Sequence, residues 1–183
     1  LDPGIPGVID HTARVVSDLA RRYEVDGVHL DYIRYPGAGW GYNDIALKRF
    51  QRRYGGPRRP DPDNPLWQTF RRDQVTAMVR RCFVETRAAR PRARVSVAAI
   101  AHGAPKPDFA LTDPYKVYGQ DWPAWLEQGI CDQVYLMNYK RELVPAQARD
   151  YRAWLRAMGE LRADRSVICG QAAYLQAPSL SLT

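Results

Sequence analysis

Residues 25–36 read VDGVHLDYIRYP, and the arrangement of the rest of the chain follows from them. An Asp26-Gly27 turn opens the stretch, after which Val28, Leu30 and Tyr32 alternate with His29 and Asp31. A period of two predicts a strand over 27–33. Its apolar residues point to burial, and the polar pair Arg34-Tyr35 followed by Pro36 stops it. A carboxylate therefore stands at the C-terminal end of a buried strand. Where parallel strands alternate with helices, that end carries the chemistry. Asp31 is the first candidate for a catalytic role.

Working outward, residues 5–23 carry Ile9, Ala13, Val16, Ala20 and Tyr23 at three-and-four spacing behind Pro6, which predicts a helix feeding the strand. After the strand, residues 37–65 turn rich in glycine and proline around a short amphipathic helix at 44–53, with Asp44 near its N-cap. A loop of this length in a compact domain is usually a lid or binding loop. Trp40 in it is placed either to stack on a ligand ring or to pin the loop to the rim. Residues 66–90 read as the longest helix, with Trp67, Phe70, Val75, Met78, Val79 and Cys82 as its buried stripe. The doubled arginines, Arg71-Arg72 among them, mark its solvated side.

A second strand is predicted at 93–101 (ARVSVAAIA), leaving His102 at its exit. An irregular stretch over 105–121, which includes Asp108, leads to a short helix at 122–128. CDQVYLMNY at 131–139 is a third strand, with Asn138, Tyr139 and Glu142 at its exit. A helix at 146–158 and a fourth strand, SVICG at 166–170, follow. Asp26 and Asp132 fall at strand starts and are taken as turn or cap residues. Four strands alternating with helices predict a parallel α/β array, either a doubly wound sheet or part of an eight-stranded barrel. No G-x-G-x-x-G or P-loop follows any strand, so a nucleotide site has no support. Polar residues spread over several exits fit the barrel better. The expected fold is a single partial (β/α)8 TIM-type barrel domain over 1–183, about strands 4–7, with upstream strands and the end of the barrel outside this sequence.

Bulk properties narrow the function. The chain has 183 residues, 45% of them hydrophobic, which suits one domain with a core of its own. No apolar run is long enough to span a membrane. The net charge of +7 comes mostly from arginines scattered over several segments without interleaved aromatics, so a nucleic-acid partner is not expected. Cys82, Cys131 and Cys169 are three and far apart, neither a zinc spacing nor a disulfide framework. His11, His29 and His102 sit in unrelated positions, and no metal or other cofactor is expected.

Taken together, LDPGIPGV at 1–8, VDGVHLDYIRYP, WQTFRRDQVTAMVRR, DQVYLMNY and ICGQAAYL resemble the glycosyl-hydrolase-like 10 family over nearly the whole chain. The resemblance implies a barrel glycosidase of the bacterial envelope, exported or lipid-anchored, whose fourth strand is 28–33 and whose partner is a polysaccharide, peptidoglycan glycan first. The last Asp of the amylase fourth-strand pattern corresponds to Asp31. The chitinase acid position is Ile33, so no chitinase mechanism transfers. Glycosidic cleavage needs two carboxyls, about 5–5.5 Å apart for retention or about 6.5–9.5 Å for inversion. Asp31, beside Arg34, suits the ionised member. Glu142 is the first choice for the acid, with Asp108 and then Asp2 behind it. His29, Arg34, Tyr35, Trp40, His102, Asp108, Asn138 and Tyr139 are expected to bind substrate. The alternative is a carbohydrate-binding barrel without catalysis.

Overall fold

A computed structural model describes residues 2–160 and 166–176. In chain order these form α1 (Pro6–Arg22), β1 (Gly27–Leu30), α2 (Asp44–Tyr54), α3 (Pro65–Ala89), β2 (Arg94–Ile100), α4 (Asp113–Lys116), α5 (Trp122–Glu127), β3 (Gln133–Met137), α6 (Pro145–Glu160) and β4 (Ser166–Gly170). Single 3-10 turns lie at Phe109–Leu111 and Ala173–Leu175. The helix starts follow local chemistry. Pro6 and Pro65 occupy first turns, where a missing N–H costs nothing. Asn64 accepts from the amides of Leu66 and Trp67, and Asn43 from that of Ala46. The α2 cap is therefore Asn43, with Asp44 beside it as expected.

The four strands are parallel and lie in the order β1-β2-β3-β4. Each new strand is laid beside the last, with helices returning the chain between them. Leu30, Val95, Val97, Val134 and Leu136 share one core with Val16 of α1, Val79 of α3, Trp125 of α5 and Trp154 of α6. On the other face His29 and Tyr135 are exposed and Ser96 is half-buried. Helices thus cover one face and leave the other open, a mixed α/β arrangement consistent with part of an α/β barrel. Leu136 is fully buried, and truncation to alanine would cost roughly 2–5 kcal/mol. A second small core joins Ala46 and Phe50 of α2 to Trp67 and Phe70 of α3. No helix of the described residues is long and apolar enough to cross a membrane.

Three strands are shorter than expected, β2 by one residue at each end. β1 stops at Leu30 rather than residue 33, because Tyr32 adopts φ 55° and breaks the extended run. β3 covers Gln133–Met137 instead of 131–139. At its start Asp132 accepts from Arg87 Nη2 and from the Val95 amide, both at 2.8 Å, so it is the cap residue expected. Gly27 has a spatial reason: a Cβ there would lie 2.6 Å from the Arg94 carbonyl oxygen.

Candidate functional site

Parallel strands deliver their exits to one end of the sheet, and at β1 alternation sorts the side chains. Leu30 faces the helices. His29 stands on the open face, its Nδ1 2.9 Å from Ser96 Oγ and its ring edge-on to Tyr135 at 5.3 Å. Asp31 follows on the same parity as His29 and is exposed, and its Oδ1 accepts from the Tyr32 amide at 2.6 Å. The left-handed turn at Tyr32 then swings the chain round, and the Arg34 amide donates to the Tyr32 carbonyl. Arg34 was expected beside Asp31; instead its guanidinium lies over the Tyr32 ring at 4.0 Å, and no ion pair joins it to Asp31 among the described residues. Its Nη1 is buried without a partner among the described residues. A cavity of about 250 Å³ opens here, lined by Asp31, Tyr32 and Arg34 together with Leu30, Val75 and Met78.

Past Leu30, side chains take over the pairing between β1 and β2. Gln120, fully buried, donates from Nε2 to the carbonyls of Ile33 and Ala98 and accepts at Oε1 from the Ile100 amide, at 2.8–3.1 Å. The Tyr35 amide donates to the Tyr118 carbonyl at 3.0 Å. Tyr35, expected at the substrate surface, is instead 2% exposed. The turn at Tyr32 resets the alternation and carries its ring inward, where the hydroxyl donates to Asp2 Oδ1 at 3.2 Å. Burial, with the Asp2 carboxylate nearby, pushes this phenol well above its ordinary value. Asp2 also accepts from the Gly4 amide and Asn43 Nδ2, so it serves the scaffold. Arg71 does not lie on the solvated side of α3: it is 1% exposed beneath the Tyr35 ring, on the stripe of Trp67 and Val75.

At the β2 exit, exposed His102 pairs through Nδ1 with Asp113 Oδ2 at 2.9 Å, and Tyr118 sits edge-on to its ring. Asp113 is the first residue of α4, eleven residues beyond, and sequence reasoning did not pair it with His102. Asp108 accepts from the Ala110 amide and caps the 3-10 turn. Asp121 has its carboxyl raised by burial, which Arg72 opposes, but its charged neighbours Arg72 and Glu127 belong to α3 and α5.

At the β3 exit the parity separates neighbours. Asn138, expected to touch substrate, is fully buried on the parity of Val134 and Leu136. Its Nδ2 donates to the Tyr151 carbonyl, and its Oδ1 accepts from Lys140 Nζ at 2.7 Å. Lys140 also donates to the Ala101 carbonyl, tying β3 to the end of β2, and burial lowers its pKa. Tyr139, between them, is 47% exposed and edge-on to Tyr174. Glu142 is half-buried; its amide donates to Gln176 Oε1, and its charge contributes to raising the Tyr151 phenol, behind burial and Cys169. Trp40, 60% exposed, stands on the β1–α2 loop, its amide closing a turn onto the Gly37 carbonyl.

Register sets the depth of these groups. One step beyond the Leu30–Val97 pair, Asp31 is level with Ala98 and so with Tyr135. His102 and Tyr139 each lie two residues past the last registered pair of β2 and β3, Ile100–Met137. The chain therefore leaves the sheet earlier at Asp31 than at His102 or Tyr139. Among the described residues no group of three His, Cys, Asp or Glu side chains is arranged for a metal.

A family model described as Glycosyl hydrolase-like 10 matches residues 1–176. Among curated proteins, "Glycosyl hydrolase DigH" of Escherichia coli K12 is 28% identical over 143 residues, covering 73% of this chain and 30% of that protein. The protein of the same name from Shigella flexneri matches to the same extent. The chain thus spans under a third of the length of the curated relatives it matches.

Proposed function

The chain belongs to the glycosyl hydrolase-like 10 family, and from that membership we propose that it is strands four to seven of a (β/α)8 barrel, one partial-barrel domain whose Asp31 carboxylate acts in cleaving a glycan. The observation that carries this reading is the one-faced helical cover with exposed Asp31 immediately past the end of β1. A doubly wound sheet would bury both faces. A barrel leaves its inner face to its own remaining strands and gathers its chemistry at the strand exits.

In the proposed reaction a carboxyl group protonates the glycosidic oxygen as the bond to the anomeric carbon breaks. A carboxylate on the other side attacks that carbon or takes a proton from the water that does. Asp31 is the ionised group, held by the Tyr32 amide, and Glu142 is the acid, carried by the β3–α6 loop. His29 lines the floor. His102, Tyr139 and Trp40 hold flanking sugars through hydrogen bonds and ring stacking, with Asp108 beside them on the β2 loop. Tyr35 and Asn138 act from behind. The unpartnered Arg34 Nη1 favours an acidic sugar, and peptidoglycan glycan, in an extracytoplasmic setting, is the substrate that fits.

Exposed aromatics along the rim also favour a second reading, a sugar-binding module without turnover. Reducing-end release by the full-length protein distinguishes them. Asp31→Asn is expected to lower release by about 10²–10⁴-fold with the fold retained, since Asp31 is exposed. Unchanged release would remove Asp31 from the chemistry, and glycan binding without release by the unmodified protein would establish the binding module.

A further inference from the structure

We propose that Arg71 is a positioning residue that holds the Trp40 loop and the His102–Asp113 loop in one arrangement, setting the glycan-binding rim from behind; this rests on the glycan-binding reading above. The loops leave adjacent strands and meet at one guanidinium. Arg71 Nη2 donates to the Gly37 carbonyl at 2.6 Å and to the Val117 carbonyl at 3.1 Å.

Each carbonyl leads to a rim side chain. That of Gly37 also accepts from the Trp40 amide, so the group Arg71 holds closes the turn bearing Trp40. Val117 is tied through its amide to the Asp113 carbonyl at 2.8 Å, and Asp113 holds His102. The next residue, Tyr118, sits edge-on to His102 and receives the Tyr35 amide. Tyr35 in turn lies 4.4 Å beneath the guanidinium.

Stability alone would not select arginine at this place. It is 1% exposed on an apolar stripe, with no ion pair among the described residues and with Nε and Nη1 unpartnered. Burying a cation in this way costs more than a packed apolar side chain. What arginine adds is a rigid planar donor group reaching two loop carbonyls at once, which neither leucine nor methionine supplies.

The test compares Arg71→Met, which keeps length and loses the donors, with Arg71→Lys, which keeps the charge and a single donor point. Four of the five tryptophans are at most 2% exposed, whereas Trp40 is 60% exposed, so the fluorescence component removed by Trp40→Phe reports the loop. In Arg71→Met the anisotropy of that component should fall, and KM for solubilised peptidoglycan glycan strands should rise about tenfold with kcat within about twofold. Arg71→Lys should recover part of both. A folded Arg71→Met with unchanged anisotropy and KM overturns the proposal, as does an equal loss of kcat and kcat/KM with anisotropy unchanged. Should Arg71→Met not fold, hydrogen exchange of the unmodified protein decides: residues 37–41 and 115–119 should open at a common rate, and independent rates overturn it. If the anisotropy falls while the unmodified protein neither binds nor cleaves glycan, the functional reading fails and the positioning role stands.

Discussion

His102 and Asp113 form a pair held by one 2.9 Å hydrogen bond, with Nδ1 of the imidazole turned to the carboxylate. The carboxylate fixes which nitrogen would be left for a glycan in the proposed reading. Both side chains are more than half exposed, so the pair adds little stability. Asp113→Asn should therefore leave the melting temperature within a few degrees, a change of about 1 kcal/mol or less. The same substitution should lower kcat/KM on glycan about tenfold by freeing the ring. Paired melting and rate measurements check both, and a rate loss that merely tracks a stability loss would count against the role.

Gln120 calls for the opposite result. Its amide replaces the ladder between the end of β1 and β2, with three backbone partners. Gln120→Leu leaves Ile33, Ala98 and Ile100 without those partners and should destabilise by about 3 kcal/mol or more. The denaturant midpoint should fall with little change in slope. A loss below about 1 kcal/mol would mean that water replaces the amide there.

The Cys82 thiol provides a pH-dependent test. It is fully buried on α3, and burial, with some help from Glu85, pushes its pKa from 9.0 up to about 11. The folded state holds the proton more tightly than the unfolded chain. The stability from this group is complete below pH 9 and lost as pH rises toward 11. The shift corresponds to about 2–3 kcal/mol. Cys82→Ala should cost stability near neutrality through the lost packing and flatten the fall between pH 9 and 11. Thermal melts at several pH values measure this, and parallel curves for the two proteins would contradict it.

The element order and the strand that precedes Asp31 were legible because period two and period 3.6 are local signals. Parity within the strands also carried more than was drawn from it. Val134, Leu136, Asn138 and Lys140 are alternate residues, all buried, so the count along β3 already assigns Asn138 and Lys140 to the helix side. Arg71 sits four residues from both Trp67 and Val75, inside the buried stripe, where its charge obscures its spacing. Tyr35 was beyond such counting because the positive φ at Tyr32 resets the alternation. Asp113, at the start of the four-residue α4, and Gln120 act through contacts 11 and 20 residues distant, in segments too short or too irregular for periodicity to reveal them.

The alternation at the β3 exit has a practical consequence for engineering. Tyr139 and its two flanking residues are consecutive in the chain, yet one meets solvent and the others brace the framework. In the proposed reading, recognition and robustness thereby fall to adjacent codons. Varying position 139 alone should retune what the surface accepts at almost no thermal penalty, whereas libraries that also randomise 138 or 140 should yield mostly unfolded protein.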